Sequence, residues 1–443
     1  MAHFPSLMCS LQRLARMLGV IAVAAWFSQL TTAGVCAEPA RTNVILIMAD
    51  DIGYECYPCY GGTSYRTPNI DRLAAGGMRF TQAHANPLCT PTRVKLMTGL
   101  SNVRNYASFS TLRRSERTIG QVMREAGYRT AIAGKWQLYG AEHYNDLIRG
   151  KGTLPEDAGF ERHCLWQVKK LGSRYWGPTV TIDGEDKKFG DEVYGPDVYC
   201  QFLLDRMEEY RAEPFFLYYP MALVHNPFEP TPDSASRDQK NKQRNFADMV
   251  AYMDKLIGRI VTKTEELGIA DRTLILVTGD NGTNRTIKSK LGEQTMVGGK
   301  GLPTDAGTHV ALVAYQPGAV PAGKVCDDLV EFSDFMPTAA AAAGADTPQP
   351  TDGHSFYPQL RGLAGQPRET IYIYYWPRPE RGEPLRFVRD RRWKLYGNGK
   401  LYDVQNDILE KRPLGAESAE VRERLQAALD RMPAKGQKLL QFE

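Results

Sequence analysis

Thr42-Asn-Val-Ile-Leu-Ile-Met-Ala49 is an unbroken run of apolar and β-branched residues that stops at Asp50-Asp51. No polar residue alternates within it, so both faces must be covered, as in a strand inside a parallel sheet. Similar segments recur outward from this one. Thr67-Pro68 caps a helix that runs through Ala75 and stops at Gly76-Gly77, and Met78-Arg-Phe80 starts another extended piece. Ile119, Val122, Met123 and Ala126 share one face of a helix beginning at Thr118, and Gly127 leads into the strand Tyr128-Arg-Thr-Ala-Ile-Ala133. Pro214-Phe-Phe-Leu-Tyr-Tyr219 and Leu274-Ile-Leu-Val-Thr278 read as strands, separated by a long amphipathic helix from Phe246 to Leu267. This order predicts an α/β fold: a mixed, mostly parallel sheet flanked by helices.

The 443 residues, 42% of them hydrophobic, suffice for one large domain and a smaller one. Residues 1–37 read as a secretory signal peptide, in which Arg13 and Arg16 precede an apolar run from Leu18 to Phe27. Cleavage is expected after Ala37, with Thr31-Thr-Ala33 as the alternative. Val35 stands before Cys36, where a lipid-attachment site needs a small residue. The apolar run is short for a bilayer span, so an exported protein, periplasmic or extracellular, without a stable span after cleavage is expected. Residues 38–350 form the expected catalytic domain. In 351–443, short segments at Ile371–Trp376, Leu385–Arg389, Trp393–Tyr396 and Leu401-Tyr402, then a helix over about 416–432, predict a small antiparallel α+β unit. The net charge of +4 is too small and dispersed to argue for a nucleic-acid partner.

Cys89-Thr-Pro-Thr-Arg93 is the most specific local signal. Thr90 reads as an N-cap, Pro91 as the first helical residue and Gly99 as the stop, which puts Cys89 at a helix N-terminus. Free N–H groups, the helix dipole and the Arg93 guanidinium favour an anion there. A structural cysteine before an ordinary helix is the plainer alternative. Asp50-Asp51 and Asp280-Asn281-Gly282 both follow strands, where open α/β sheets place their sites. Their oxygens suit Ca²⁺ or Mg²⁺, although Asp, Asn and Gly also serve ordinary turns.

The pentapeptide resembles the signature of the type I sulfatases of the alkaline phosphatase superfamily, in which the cysteine is oxidised to formylglycine. The resemblance extends from about Asn43 to Asp407 through an ordered succession of segments. It implies an alkaline-phosphatase-like fold. It also implies a divalent metal, calcium or else magnesium, held by Asp50, Asp51, Asp280 and Asn281 with residue 89. Gly134-Lys135-Trp136 resembles the segment carrying a lysine that contacts nucleophile and sulfate, against a surface lysine as the plain alternative. Many members have histidine two positions later; this chain has Gln137, which cannot take a proton at neutral pH. His225-Asn-Pro227 and Gly298-Gly-Lys300-Gly301 resemble further stations, making His225 or Lys300 the donor of a proton to the leaving alcohol. His309 stands where arginine is common and is given no catalytic role. Asp352-Gly-His-Ser355 and Leu401–Asp407 resemble later signatures.

The implied activity is hydrolysis of sulfate esters, of a sulfated carbohydrate rather than a small aryl sulfate, after maturation by a formylglycine-generating enzyme. Arg174-Tyr-Trp176 and Tyr374-Tyr-Trp376 offer rings for sugars, or else core packing. A phosphonate or phosphate ester hydrolase, and a non-catalytic sulfated-glycan-binding protein motivated by Gln137, are the competing readings. Six cysteines follow the leader: Cys56, Cys59, Cys89, Cys164, Cys200 and Cys326. They allow three disulfides, or leave an odd five once Cys89 is converted. The loop context of Cys56-Tyr-Pro-Cys59 argues against a redox or zinc motif.

Overall fold

In the computed structural model, which describes residues 41–379, 382–415 and 418–436 besides Met1, the run at 43–49 lies inside a ten-stranded sheet. The leader expected over 1–37 lies outside the described residues. The strand order is Lys324–Glu331, Met78–His84, His309–Tyr315, Thr273–Gly279, Asn43–Ala49, Phe215–Pro220, Arg129–Lys135, Arg162–Trp166, Thr179–Ile182 and Glu185–Lys188. The five from Thr273–Gly279 to Arg162–Trp166 are mutually parallel. His309–Tyr315 runs against both neighbours, and Thr179–Ile182 runs against the strands on either side. The sheet is therefore mixed and mostly parallel, as the order of segments predicts.

All seven residues of Asn43–Ala49 are buried, because the sheet has a core on each face. Ile45, Ile47 and Ala49 enter one cluster, with the helices Gly195–Glu209 and Lys242–Glu266. Val44, Leu46 and Met48 enter the other, with residues of the helices Cys89–Thr98, Ile119–Glu125 and Phe335–Ala342. Thr118 caps its helix as expected, in a reciprocal pair with Gln121. Several elements fall where no segment was read: the helix Gly195–Glu209 and the strands at 162–166, 179–182, 185–188, 309–315 and 324–331. Glu185–Lys188 is a fully exposed, charged edge, without the apolar pattern that marks a strand.

The helix at the pentapeptide spans Cys89–Thr98, and its N-cap is Leu88 rather than Thr90. Thr90 Oγ1 is engaged elsewhere, accepting from the Ser110 N–H at 3.2 Å. Gly99 ends the helix in a left-handed conformation, as expected. The six cysteines at 56, 59, 89, 164, 200 and 326 are all free thiols.

A four-stranded antiparallel sheet follows: Ile371–Tyr375, Leu385–Arg389, Trp393–Tyr396 and Leu401–Asp403. Leu425 and Leu429 of the helix Ala419–Asp430 pack on one face with Tyr374 and Trp376, and Ile371 and Ile373 join Leu329 on the other. Tyr374 and Trp376 are thus core residues.

All ten residues of Cys89–Thr98 are buried, two of them cationic. Lys95 Nζ pairs with Glu331 Oε2 at 2.8 Å and donates to Tyr372 O at 3.3 Å, tying this helix to both sheets. Arg368 pairs with Asp334 beside it. Burial opposes the Glu331 charge, but Lys95 and Arg368 overcome it and pull the carboxyl down to about 2. A carboxyl depressed in the fold stabilises above its free value near 4.5, and the contribution is lost as pH falls toward 2. Glu331→Gln strands the buried Lys95 charge and is expected to cost roughly 3–5 kcal/mol in urea unfolding at neutral pH. Arg104→Gln, which breaks the half-exposed pair with Asp352, is expected to cost about 0–1 kcal/mol.

Candidate active site

Five loops and strand ends meet at the C-terminal edge of the parallel strands, where side chains leave the sheet without a following strand to cover them. Asp50 and Asp51 follow Ala49, Asp280 and Asn281 follow Gly279, and Lys135 is the last residue of its strand. Close backbone packing sets this edge. Gly134 has a φ of 123°, and a Cβ there would lie 2.0 Å from Pro220 O. Only glycine allows the strands carrying Lys135 and Tyr219 to approach so closely.

Asp50, Asp51, Asp280 and Asn281 have no solvent exposure. Arg93 Nε and Nη2 reach Asp280 Oδ2 at 3.2 and 2.9 Å, and its Nη1 donates to Lys135 O at 3.2 Å. Lys135 Nζ lies 3.0 and 2.8 Å from the two oxygens of Asp50. Lys300 Nζ donates to Asp51 Oδ2 at 2.5 Å and to His225 Nε2 at 2.9 Å. His225 Nδ1 lies 2.5 Å from Asn226 O, so the ring donates there and accepts from Lys300. The nine residues singled out from the sequence, Asp50, Asp51, Cys89, Arg93, Lys135, His225, Asp280, Asn281 and Lys300, are thereby brought together. Asp51 and Gln137 hold left-handed backbone conformations, with φ of 61° and 52°. Such conformations in non-glycine residues concentrate at functional sites.

The electrostatics show how crowded the carboxylates are. Burial disfavours the Asp50 charge, yet Lys135, His225, Arg93 and Lys300 hold that carboxyl far below the usual range. At Asp280 burial wins, helped by Asp50, and the carboxyl is pushed above the usual range despite Arg93 and Lys135. Burial likewise holds the His225 imidazole down at about 4, against the pull of Asp51 and Asp50 and with the help of Arg174 and Lys135. Lys300 stays charged: burial opposes it, but Asp51, Cys89 and Asp50 raise it above the usual lysine range.

A divalent cation fits this arrangement on two observations. Asn281 donates from Nδ2 to Asp51 Oδ1 at 2.8 Å and to Gly282 O at 3.0 Å, leaving its Oδ1 buried without a partner. One ligand atom from each of Asp50, Cys89 and Asp280 lies within 4.8 Å of the others. Three buried carboxylates and an unpartnered amide oxygen form a hard donor set of the kind that holds Ca²⁺ or Mg²⁺.

Cys89 is 2% exposed, in the first turn of its helix, and its Sγ lies 3.5 Å from Gln137 Oε1. Gln137 in turn donates to the Tyr144 hydroxyl at 3.4 Å. His309 lies outside this group, stacked between Tyr54 and His84 and bonded to Thr81 O. A cleft of about 650 Å³ begins at Asn226, next to His225, and is lined by Trp176, Phe228, Glu229 and Arg237 among others. Arg174 also borders the cluster, its Nη1 3.7 Å from Asp50 Oδ2, and it belongs to no motif: it stands in the loop after the strand Arg162–Trp166.

Likenesses to known proteins give the family and the fold. The Sulfatase family model matches residues 42–345, and that of the N-sulphoglucosamine sulphohydrolase C-terminal region matches residues 300–435. Human (Homo sapiens) arylsulfatase A is 32% identical over 382 residues, covering 78% of this chain and 73% of that protein. N-acetylgalactosamine-6-sulfatase of Canis lupus familiaris is 28% identical over 399 residues, covering 82% and 73%. The crystal structure of Ps i-CgsB superposes with a TM-score of 0.72 at 24% identity, covering 90% of this chain and 94% of that one. Phosphonate monoester hydrolase of Agrobacterium radiobacter does so with a TM-score of 0.67 at 21% identity, covering 88% and 94%. These two likenesses speak for the alkaline-phosphatase-like fold alone. The family model spans most of the chain and begins at the strand that leads into Asp50, and with the arylsulfatase A likeness it places this protein in the sulfatase family of sulfuric ester hydrolases.

Proposed function

We propose that this chain hydrolyses sulfate esters of a sulfated carbohydrate, using a formylglycine made from Cys89 by a formylglycine-generating enzyme. The observation that carries the reading is the convergence of Cys89, Arg93, Lys135, His225 and Lys300 on one cluster of buried carboxylates. The sugar preference follows the relatives: one is named for N-acetylgalactosamine-6-sulfate chemistry, and a structural neighbour was solved with D-glucosamine-2-N,6-O-disulfate. Residues 38–350 are read as the catalytic domain and 351–443 as the small C-terminal one. The leader at 1–37 supports export to the periplasm or the exterior, and no helix among the described residues is long and apolar enough to cross a membrane.

Asp50, Asp51, Asp280 and Asn281, with residue 89 beside them, would hold Ca²⁺ or Mg²⁺. Bound there, the ion would supply charge to polarise the sulfuryl oxygens, and the formylglycine hydrate would supply the attacking oxygen. Arg93 fixes Asp280 and adds positive charge at the helix N-terminus, where the sulfuryl group is expected. Lys135 sits against Asp50 and offers a further cation. Lys300 carries the proton for the leaving alcohol oxygen. His225, neutral and accepting from Lys300 through Nε2, orients that ammonium. Gln137 faces residue 89 and can hold it by a hydrogen bond but cannot move a proton at neutral pH.

The direct test uses protein made in a host with a formylglycine-generating system. The tryptic peptide 80–93 is expected at the aldehyde mass, and the protein is expected to cleave an aryl sulfate faster than the phosphate ester of the same alcohol. A preferred phosphate would favour the phosphonate or phosphate hydrolase reading. Full conversion with sulfated-glycan binding but no turnover would favour the binding-protein reading. Removing divalent metal by chelation is expected to abolish turnover and lower the melting temperature, with calcium restoring both. Gln137→His is expected to raise kcat about 10-fold or more, because a proton acceptor is restored beside residue 89; an unchanged kcat would show that proton removal there is not limiting.

A further inference from the structure

Arg174 presents a buried guanidinium nitrogen that makes no hydrogen bond, only a long ion pair. Its side chain is only 12% exposed, and its Nη1 has no hydrogen-bond partner. That nitrogen lies 3.7 Å from Asp50 Oδ2, beyond hydrogen-bond reach, and Lys135 already satisfies both oxygens of Asp50. A buried donor without an acceptor is costly, and Arg174 differs from Arg113 and Arg206, whose guanidinium nitrogens also lack hydrogen-bond partners, in standing beside the carboxylate cluster.

The guanidinium is also held in place. It lies 3.8 Å from the centre of the Trp166 ring, and Trp166 is the strand partner of Lys135. The next residue anchors the loop: the Tyr175 hydroxyl lies 2.8 Å from Ala222 O and 2.5 Å from His225 O. Arg174 therefore stands between Trp166, beside Lys135, and the Tyr175 anchor to His225 O, with Asp50 at 3.7 Å. A planar guanidinium suits tetrahedral oxyanions.

We propose that Arg174 is a further anion-binding residue of the active site, its free Nη1 donating to a sulfuryl oxygen of the substrate and of the sulfate released. The proposal rests on the sulfatase reading and deepens it.

The test is calorimetric titration of inorganic sulfate into metal-loaded, formylglycine-containing protein. Arg174→Ala is expected to weaken sulfate about 10-fold or more. Arg174→Lys keeps the charge facing Asp50 but not the planar donor, and is expected to weaken sulfate by a smaller factor. Arg129→Ala is expected to leave sulfate binding unchanged, since Arg129 lies at the opposite end of its strand from Lys135 and pairs with Glu161 and Glu213 at 3.1 and 3.0 Å. Metal content and the mass of peptide 80–93 are expected to match wild type in all three. Wild-type sulfate affinity in Arg174→Ala would overturn the proposal, as would an equal loss in Arg129→Ala. Should Arg174→Ala lose metal or fail to fold, Arg174→Lys decides, and wild-type affinity there would reduce Arg174 to a counter-charge for Asp50. Wild-type protein that neither binds sulfate nor cleaves a sulfate ester would instead sink the underlying reading.

Discussion

Three carboxylates without solvent exposure, Asp50, Asp51 and Asp280, are packed together at one edge of the sheet. Charges removed from water in this way persist only if paired, and unpaired they would lose their charge or disrupt the fold. The surrounding structure supplies the pairing. Arg93 faces Asp280, Lys135 faces Asp50 and Lys300 faces Asp51, each cation arriving on a different element. At Asp280 burial still outweighs the pull of Arg93, and the Asn281 Oδ1 beside it accepts from no donor. The cluster thus has the donor set that a divalent cation would fit, with three cations already set around it.

The helix Cys89–Thr98 connects this requirement to the rest of the molecule. Arg93 reaches forward into the carboxylate cluster, while Lys95 reaches back to Glu331 and to the backbone of the C-terminal sheet. Neither cation meets water, so the helix is fixed along its length by charge as well as packing. That rigidity holds the first turn, and with it residue 89, beside the carboxylate cluster. Pre-positioned donors of this kind need no reorganisation when charge develops.

Much of the architecture was legible because its cause is local. Buried parallel strands must be apolar on both faces, so 43–49, 214–219 and 274–278 announce themselves, and helices packed on them carry a 3.6-residue stripe. Glu185–Lys188 was not legible, since its pairing comes from the neighbouring strand and not from its own residues. The cap of the pentapeptide helix was misplaced for a related reason. Thr90 has the chemistry of an N-cap, but tertiary packing directs its hydroxyl to Ser110. The aromatic run at 374–376 could have faced sugars or core, and contact with the helix 419–430 is what decides for core.

By itself, the sequence determined the chemical inventory of the site: a cysteine ahead of Pro91 and Arg93, acidic pairs after apolar runs, and lysines beside glycines at strand ends. These are properties of residue type and spacing, which the chain carries before it folds. Only the tertiary structure decided how those stations pair, because the partners lie far apart in sequence. It brought Lys300 to His225, turned the imidazole into an acceptor, and left six thiols unpaired. It also placed Arg174, from a loop with no motif of its own, beside Asp50 with a donor unspent. Such a residue is invisible to spacing, since its proximity depends on strands that pair across the sheet.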